Sequence, residues 1–557
     1  MRGLIRNNKI RAICLMLALV LASGCLAGQA PVVSPTPESP SDAPVSVDTA
    51  TPSESAISPS PTEPEPTDTE PPFPVDSVKI DGKWYGTKRT ELSFFYSNLT
   101  NEDIKLLKYM TSLKNLSLSS NPISDLSPIA ELTSLEYLNL SNTQVSDLSP
   151  IAELTSLERL DLSDTQVSDL SALSRLTNLR TLNLDLTPVS DLSPLSDLPN
   201  LVSLGIRKCN ISDLSPIAKL ASLKELDLFE TPVSDLSALS RLTNLRTLDL
   251  NFTPVSDLSP LADLSKLDTL RIESCNIRDL SPLARLLNLR RLEASDNEIE
   301  DISPLASMTS MEYLYLTLNS IEDITPLSPL NNLTYLLLSN NKIEDISPLA
   351  SMTSMTKLDL TDNNIKDISP LSSLSNLTEL FLSGNEIQDI TPLAKLTNLQ
   401  ILWLNSNRVS NLSALSELIN LTALILENNQ ISDITPLSNL SSLSGLYLEN
   451  NQISDITPLS GISSLRDLDL SSNQISDLIP LSNISGLNRL FLNSNQISDL
   501  TPLSNISSLG RLDINSNQIS DLTPLAALEN LRYARIEDNP ISDWSPVDHV
   551  MAVTGRP

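Results

Sequence analysis

One leucine position recurs every 22 residues along most of this chain of 557 residues. The spacing runs from Leu113 to Leu531 without an insertion or a deletion, and methionine replaces leucine only at Met311 and Met355. A period of this size predicts a solenoid, in which each repeat buries its apolar face only against its neighbours. Such a fold presents one long surface to partners and has no inherent need for an active site.

Within one repeat, the apolar positions change from a strand period to a helical period. Leu138 and Leu140 alternate as one face of a short strand, so Tyr137 and its alternating neighbours point the other way. Between Val145 and Leu154 an apolar residue recurs at every third position, which fits a 3₁₀-like turn better than an α-helix. Each repeat is therefore predicted to contain a strand and, on the outer side, a 3₁₀-like turn.

A slot between the strand and the turn is usually threonine or asparagine. It is Thr143 in this repeat and asparagine in every repeat from Asn297 to Asn539. A buried amide both donates and accepts, so stacked asparagines are predicted to satisfy backbone groups of the bend. Cys209 and Cys275 fill the same slot three repeats apart. At strand spacings of about 4.8 Å they are too distant for a disulfide, so both are predicted to be buried structural thiols.

A column of aspartates comes just before the 3₁₀-like turn. It runs from Asp125 to Asp543 and is broken only at Asn411, and in most repeats Ser-Pro or Thr-Pro follows. We predict that the hydroxyl caps the turn, that proline occupies its first turn and that the aspartates accept nearby backbone amides. The alternative is a calcium ladder. It is less favoured because the chain has only 12 glycines and no glycine-aspartate loop of the calcium-binding repeat kind.

The first 24 residues are predicted to be an export signal. A basic start precedes an apolar stretch from Ala12 to Ala22, which is too short to span a bilayer. The segment ends in Leu-Ala-Ser-Gly-Cys, which resembles a bacterial lipobox. This resemblance implies that Cys25 carries a diacylglycerol and becomes the new N-terminus, anchoring the protein on the extracellular face of the cell membrane. The alternative is an ordinary secretory signal that is cut nearby.

A segment rich in Pro, Ser, Thr and Glu follows the signal and is predicted to be a disordered, extended tether. At about 3.1 Å per residue it could reach on the order of 150 Å through a cell wall. The alternative is a disordered leader without a spacing role. The predicted segments are 1–24, signal; 25–75, lipidated N-terminus and tether; 76–112, N-terminal cap; 113–543, twenty repeats; and 544–557, C-terminal cap.

Both caps carry signals of their own. In the N-terminal cap, a helix is predicted from Glu102 to Met110 with Ile104, Leu107 and Met110 facing inward. In the C-terminal cap, Trp544 takes a slot that is leucine or isoleucine in the preceding repeats. It is predicted to cover the open end of the core.

The repeat pattern LxxLxLxxN, followed by Ile, Asp and Pro-Leu, resembles the internalin-type leucine-rich repeat of Gram-positive surface proteins over roughly residues 90 to 557. The resemblance implies a right-handed leucine-rich repeat solenoid of the α/β type. It places a parallel β-sheet on the concave face, 3₁₀-like turns on the convex face and partner binding on the concave face. Two departures are the N-terminal lipid anchor and the lack of room for an immunoglobulin-like domain, so host-cell invasion is not inferred.

Aromatic residues in the repeats avoid the core positions. Nearly all lie at outward strand positions, so strand register excludes core filling as their role. The central outward slot is polar or charged in the first repeats, as at Ser117 and Asp249, but largely apolar from Tyr315 onward. We call this C-terminal set the aromatic stripe and predict that it binds a partner. Its members are Tyr313, Tyr315, Tyr335, Leu337, Phe381, Ile401, Trp403, Ile425, Tyr447 and Phe491.

Several occupants of the stripe are compatible with the sequence. The admixture of Leu337, Ile401 and Ile425 favours a protein or peptide partner. The alternatives are a glycan, whose sugar rings would stack on the aromatic faces, and self-association of the chain. A purely structural alternative is that the aromatic side chains stabilise the strand surface by packing side by side.

Composition excludes other classes of function. The net charge of −31 argues against a nucleic-acid partner, because phosphate binding needs clustered lysine and arginine. The single histidine, His549, lies in the predicted C-terminal cap, so neither Ser-His nor His-metal chemistry is expected. We therefore predict a binding protein that is not an enzyme, with no cofactor and no metal site.

Overall fold

The computed structural model describes residues 76–556. The predicted signal, Cys25 and the predicted tether lie outside the described residues. The cap strands are Ser77–Ile80 (β1), Lys83–Gly86 (β2) and Glu91–Ser93 (β3). The one α-helix of the described part, α1, is Asn101–Ile104. The remaining strands, β4 to β24, are Asn115–Ser117, Tyr137–Asn139, Arg159–Asp161, Thr181–Asn183, Ser203–Gly205, Glu225–Asp227, Thr247–Asp249, Thr269–Arg271, Arg291–Glu293, Tyr313–Tyr315, Tyr335–Leu337, Lys357–Asp359, Glu379–Phe381, Ile401–Trp403, Ala423–Ile425, Gly445–Tyr447, Asp467–Asp469, Arg489–Phe491, Arg511–Asp513, Tyr533–Arg535 and Ala552–Thr554.

Short 3₁₀ helices alternate with the strands, as the three-residue period predicts. They are Lys105–Tyr109, Ser127–Ile129, Ser149–Ile151, Ser171–Arg175, Ser193–Leu195, Ser215–Lys219, Ser237–Arg241, Ser259–Leu261, Ser281–Arg285, Ser303–Ser307, Thr325–Leu327, Ser347–Ser351, Ser369–Ser373, Thr391–Lys395, Ser413–Leu415, Thr435–Leu437, Thr457–Gly461, Ile479–Leu481, Thr501–Leu503, Thr523–Ala527 and Ser545–Val547.

The strands β3 to β24 form one parallel sheet in chain order. Equivalent residues of consecutive repeats face each other, as Leu138 faces Leu160 and Leu160 faces Leu182. Among the described residues, β3 pairs only with β4 and β24 only with β23. This arrangement, with the sheet on the concave face and the 3₁₀ helices on the convex face, is the predicted leucine-rich repeat solenoid.

The core is a continuous column of side chains between the sheet and the 3₁₀ helices. In the repeat that contains β5, Leu138, Leu140, Val145, Ile151 and Leu154 are all fully buried. The two sequence periods therefore place their apolar residues in the same core, as predicted. Because the sheet is parallel and in register, every outward position forms a row that runs along the concave face.

The N-terminal cap begins with an antiparallel hairpin of β1 and β2, which the sequence analysis did not predict. The predicted helix is only partly α-helical: α1 ends at Ile104 and a 3₁₀ helix continues as Lys105–Tyr109. Its inward face is as predicted, since Ile104, Leu107 and Met110 are fully buried. Thr100 N donates to Asp103 Oδ2 at 2.8 Å, which fixes the start of the helix.

The C-terminal cap continues the sheet by one more strand. β24 pairs in parallel with β23, although it lies 19 residues after it instead of 22. Trp544 is partly buried and packs against the end of the core, which is the contact predicted from its position.

The polar slot works as the amide argument predicts. Asn407 Oδ1 accepts a hydrogen bond from Ile387 N at 3.0 Å, and Nδ2 donates to Leu382 O at 2.9 Å and to Leu404 O at 3.1 Å. Two of these three partners belong to the preceding repeat, so the amide joins neighbouring turns of the solenoid. In the threonine repeats the bond is local: Thr143 Oγ1 donates to Leu140 O, three residues earlier, at 2.6 Å.

The two cysteines in the same slot are buried and free, as predicted. Cys209 Sγ donates to Leu184 O at 3.1 Å, and Cys275 Sγ donates to Leu250 O at 3.0 Å. Burial raises the pKa of both thiols, which keeps them protonated and unreactive at neutral pH.

The aspartate column holds the start of each 3₁₀ helix. Asp147 Oδ1 accepts Ser149 N at 2.8 Å and Oδ2 accepts Ser149 Oγ at 2.9 Å. These two bonds lower the pKa of Asp147. The prediction that the serine hydroxyl caps the turn was wrong, because that hydroxyl donates to the aspartate instead. Asn411 keeps the backbone bond with its amide oxygen, to Ser413 N at 2.9 Å, which explains why the column tolerates it.

Candidate functional site

The aromatic stripe lies on the solvent-facing side of the sheet, in consecutive registered rows. Trp403 pairs in register with Ile425, and Ile425 with Tyr447. Tyr315 and Leu337 form the same row at the other end of the stripe. Sheet pairing thus brings together residues that are 22 positions apart, and the stripe is a continuous surface.

The side chains of the stripe are half-buried, because they lie against one another. Phe381 is only 8% exposed and packs edge-to-face on Trp403, with ring centroids 4.8 Å apart. Tyr313 and Tyr335 stack at 5.1 Å. The expectation of an exposed row is therefore wrong for Phe381, whose ring is covered by its neighbours. These contacts stabilise the sheet surface, and the stripe still leaves a partly exposed apolar face.

Cations of this chain cover several of the rings. The Arg291 guanidinium lies 5.1 Å from the ring centroid of Tyr315 and 5.3 Å from that of Tyr313. Lys357 Nζ lies 5.3 Å from the ring centroid of Phe381. Such cation–π contacts contribute about 0.5–2 kcal/mol each, depending on desolvation. The stripe is thus a mixed surface of aromatic rings and cations.

The concave face of the N-terminal half carries a network of ion pairs. Arg207 Nε lies 2.7 Å from Asp227 Oδ2, and Arg207 Nη2 lies 3.8 Å from Asp249 Oδ2. Arg271 then contacts Asp249 at 3.6 Å and Glu293 at 3.2 Å. Desolvation raises the pKa of Asp249 despite these partners. The two halves of the face therefore differ in chemistry, as the sequence indicates.

Beside the stripe lies a group of three carboxylates. Glu427, Glu449 and Asp469 each offer an oxygen, and these oxygens lie within 4.8 Å of one another. Burial, and then the charges of Asp469 and Glu449, raise the pKa of Glu427 to about 7. The pKa values of Glu449 and Asp469 are also raised, in each case mainly by burial. No cation of the described residues pairs with this group, which we call the acidic cluster. Carboxylates in this arrangement suit a cation.

The raised pKa of Glu427 predicts a specific dependence of stability on pH. Its folded-state pKa, about 7, lies above its ordinary value of 4.5, so the folded state holds the proton more tightly. The stability is then fully present below about pH 4.5 and is lost as the pH rises through about 7. Glu427→Gln is expected to raise the free energy of unfolding at pH 8 by roughly 2–3 kcal/mol, and by little at pH 5.

Urea unfolding between about pH 5 and pH 8 measures this effect. Glu417→Gln removes the same charge from an exposed position and should leave the pH profile unchanged. An equal gain of stability at both ends of the range would show that Glu427 is already ionised in the folded protein at pH 5.

Some polar and aromatic groups were not found from the sequence. The acidic cluster was missed because Glu427 and Glu449 stand two positions beyond the central slot, and only that slot was read as a row. Phe95 and Tyr96 in the N-terminal cap are 69% and 80% exposed, more than any member of the stripe. They precede the regular repeats, so the repeat register did not reveal them.

The repeats match a known family model. The model described as "Leucine Rich repeats (2 copies)" matches residues 90–153, 155–197, 199–241, 243–285, 287–329, 331–373, 375–417 and 419–461. A second model, "Leucine Rich repeat", matches residues 461–478. The chain therefore belongs to the leucine-rich repeat family. A search of curated protein sequences found no match.

Solved structures similar to this chain include bacterial and plant proteins. An internalin (inlF) from Listeria monocytogenes is 33% identical over 66% of this chain and 89% of its own, with a TM-score of 0.36. The plant peptide hormone receptor RGFR1, in complex with RGF2, is 20% identical over 84% of this chain and 90% of its own, with a TM-score of 0.64. The Arabidopsis receptor kinase HAESA ectodomain, in complex with an extended IDA peptide hormone, is 20% identical over 88% and 93%, with a TM-score of 0.61. At these identities the two plant structures show the fold alone.

Proteins of this fold commonly bind protein or peptide ligands, and a generic binding role follows for this chain. Across residues 76–556, no helix has the length and apolar character that a membrane span requires.

Proposed function

We propose that this protein binds a peptide, or an extended segment of a protein, along the C-terminal half of its concave face. The observation that carries the proposal is the registered apolar row that runs from Trp403 through Ile425 to Tyr447. Its neighbours add partly exposed rings and charged groups at fixed spacings. A peptide offers apolar side chains and backbone polar groups in the same alternation. That the plant receptors named above are in complex with peptide hormones supports this class of ligand.

Two alternatives compete for the same surface. Aromatic rings on a sheet also suit sugar rings, so a glycan is the second candidate. Self-association through the stripe is the third. The aliphatic side chains of Leu337, Ile401 and Ile425 favour the peptide, because a sugar gains less from them than from an aromatic face.

Trp403→Ser is the variant that tests the proposal. Peptides selected from a displayed library on the wild-type protein should bind this variant about tenfold more weakly or worse, since central aromatic side chains dominate binding energies at interfaces. Isothermal titration of the individual peptides measures the change. Phe229→Ser, which removes a ring from the same face in the N-terminal half, should leave the affinity unchanged.

The other candidates make different predictions for the same proteins. A glycan array with strong binding that Trp403→Ser abolishes would assign the surface to carbohydrate. Sedimentation that shows a wild-type dimer and a monomeric Trp403→Ser variant would assign it to self-association. Unchanged peptide binding by Trp403→Ser would contradict the proposed site.

We further propose that the protein is held on the outer face of a bacterial cell membrane through a lipid on Cys25, as in internalin-like surface proteins. The lipobox-like sequence before Cys25 and the apolar signal segment support this location. Expression of Cys25→Ser should release the protein from the membrane fraction. Retention of this variant in the membrane would contradict the lipid anchor.

A further inference from the structure

A recurring arrangement on the concave face combines an aromatic ring, a carboxylate and a cation of this chain. Arg207 lies 5.1 Å from the ring centroid of Phe229 and 2.7 Å from the Asp227 carboxylate. Lys357 lies 5.3 Å from the ring centroid of Phe381 and 2.7 Å from the Glu379 carboxylate. In both places one cation serves the ring and the carboxylate together.

The same arrangement occurs at both ends of the stripe. Arg291, which covers two tyrosine rings, also lies 2.5 Å from Glu293. Arg511 lies 5.0 Å from the ring centroid of Phe491 and 3.2 Å from Asp513. Arg291, Lys357 and Arg511 all stand in one row, the first outward position of their strands. That row is where the chain usually supplies its own cation.

At Tyr447 the ring and the carboxylates are present and the cation is missing. The carboxylates are those of the acidic cluster, which begins two residues after Ile425 and Tyr447. In the row that carries the cations elsewhere, these repeats have Ala423 and Gly445. Small residues there leave the surface open, and the Tyr447 ring lies over Gly445, with Cε2 3.3 Å from the place of a Cβ atom.

A second polar group of the same patch lacks a partner within the described residues. The indole Nε1 of Trp403 is buried and makes no hydrogen bond. A buried donor without an acceptor costs about 1–3 kcal/mol in a folded protein. The patch formed by Trp403, Tyr447 and the acidic cluster is thus incomplete in both charge and hydrogen bonding, whereas the flanking repeats satisfy their own groups.

We propose that the acidic cluster binds a basic side chain, lysine or arginine, of the peptide that lies along the aromatic stripe. The inference rests on the proposed function and specifies the chemistry of the ligand. The basic group would take the place that Arg291 or Arg511 takes in its own repeat, between carboxylate and ring. Apolar residues of the peptide on either side would contact Trp403 and Phe491. Charge complementarity selects this occupant, because it relieves the repulsion among the three carboxylates.

Short random peptides displayed on phage and selected on the purified full-length protein test the inference. The selected peptides are expected to share a lysine or arginine with apolar neighbours. Replacing that residue by glutamine should weaken binding to the wild-type protein about tenfold or more. In the Glu427→Gln/Glu449→Gln variant, the same replacement in the peptide should have little further effect, because the two changes remove one interaction.

The matched control is Glu322→Gln/Glu344→Gln, which removes two exposed carboxylates at positions outside the strands and should bind the peptides as the wild type does. Peptides that depend on Trp403 but carry no basic residue, or effects of the two changes that add independently, would overturn the inference and leave the proposed function standing. If no peptide depends on Trp403, both fail. Calcium chloride titrated without peptide is the last arm. Heat that disappears in the glutamine variant, with peptide binding unaffected, would assign the cluster to a metal ion and overturn the inference.

Discussion

Replacing Asn407 by leucine is expected to lower the free energy of unfolding by about 3 kcal/mol or more, since up to three buried backbone groups lose their partner at about 1–3 kcal/mol each. The groups are Ile387 N, Leu382 O and Leu404 O. Leucine has nearly the same volume as asparagine but can neither donate nor accept. Urea unfolding gives the global change, and hydrogen exchange of the Ile387 amide gives the local one.

The chain itself offers the control. Asn407→Thr reproduces the threonine repeats, in which the hydroxyl donates to the carbonyl three residues earlier. It should restore the bond to Leu404 O and leave the bonds to the preceding repeat unmade, so its stability should fall between those of the wild type and Asn407→Leu. Equal stability of Asn407→Leu and the wild type would mean that water reaches these backbone groups.

Leu402→Ala is expected to destabilise the fold by about 2–5 kcal/mol, because the truncated side chain leaves a cavity in a core that cannot close around it. Leu402 is fully buried between the flanking leucines of its row. In a solenoid each repeat contacts only its neighbours, so the loss should be concentrated in the adjacent repeats. Hydrogen exchange along the sheet measures how far it spreads.

Ile419→Ala serves as the comparison for this substitution. Ile419 is 51% exposed, so its truncation should change the free energy of unfolding by no more than about 0.5 kcal/mol. A similar loss at both positions, or a loss spread evenly over all the repeats, would contradict the one-dimensional description of the core.

The repeat period predicted the scaffold because every repeat imposes the same local demands. Leu138 and Leu140 must face inward in a strand, and Asn407 must satisfy the bend, whatever lies elsewhere in the chain. The cap hairpin of β1 and β2 was not predicted, since it occurs once and has no second copy to compare with. The serine next to the aspartate column was misassigned because either oxygen could have capped the helix, and only the geometry shows that the carboxylate does.

The candidate site was predictable as a row and not as a set of contacts. Register alone placed Trp403 beside Ile425. It did not show that Phe381 would be covered by its neighbours, because that depends on side-chain rotamers. Glu427 and Asp469 are 42 positions apart, and only the stacking of strands brings their carboxylates together. Comparing every outward row, and not only the central one, would have revealed the acidic cluster from the sequence.

The change from threonine to asparagine in the polar slot also divides the solenoid mechanically. From Asn297 onward each amide joins its turn to the one before, whereas Thr143 and its counterparts bond only within their own turn. The threonine section is therefore the softer part of the spring, and the asparagine section is the stiffer part. A stretching force would separate the turns of the threonine section first, and the aromatic stripe, which lies wholly in the stiff section, would keep its spacing.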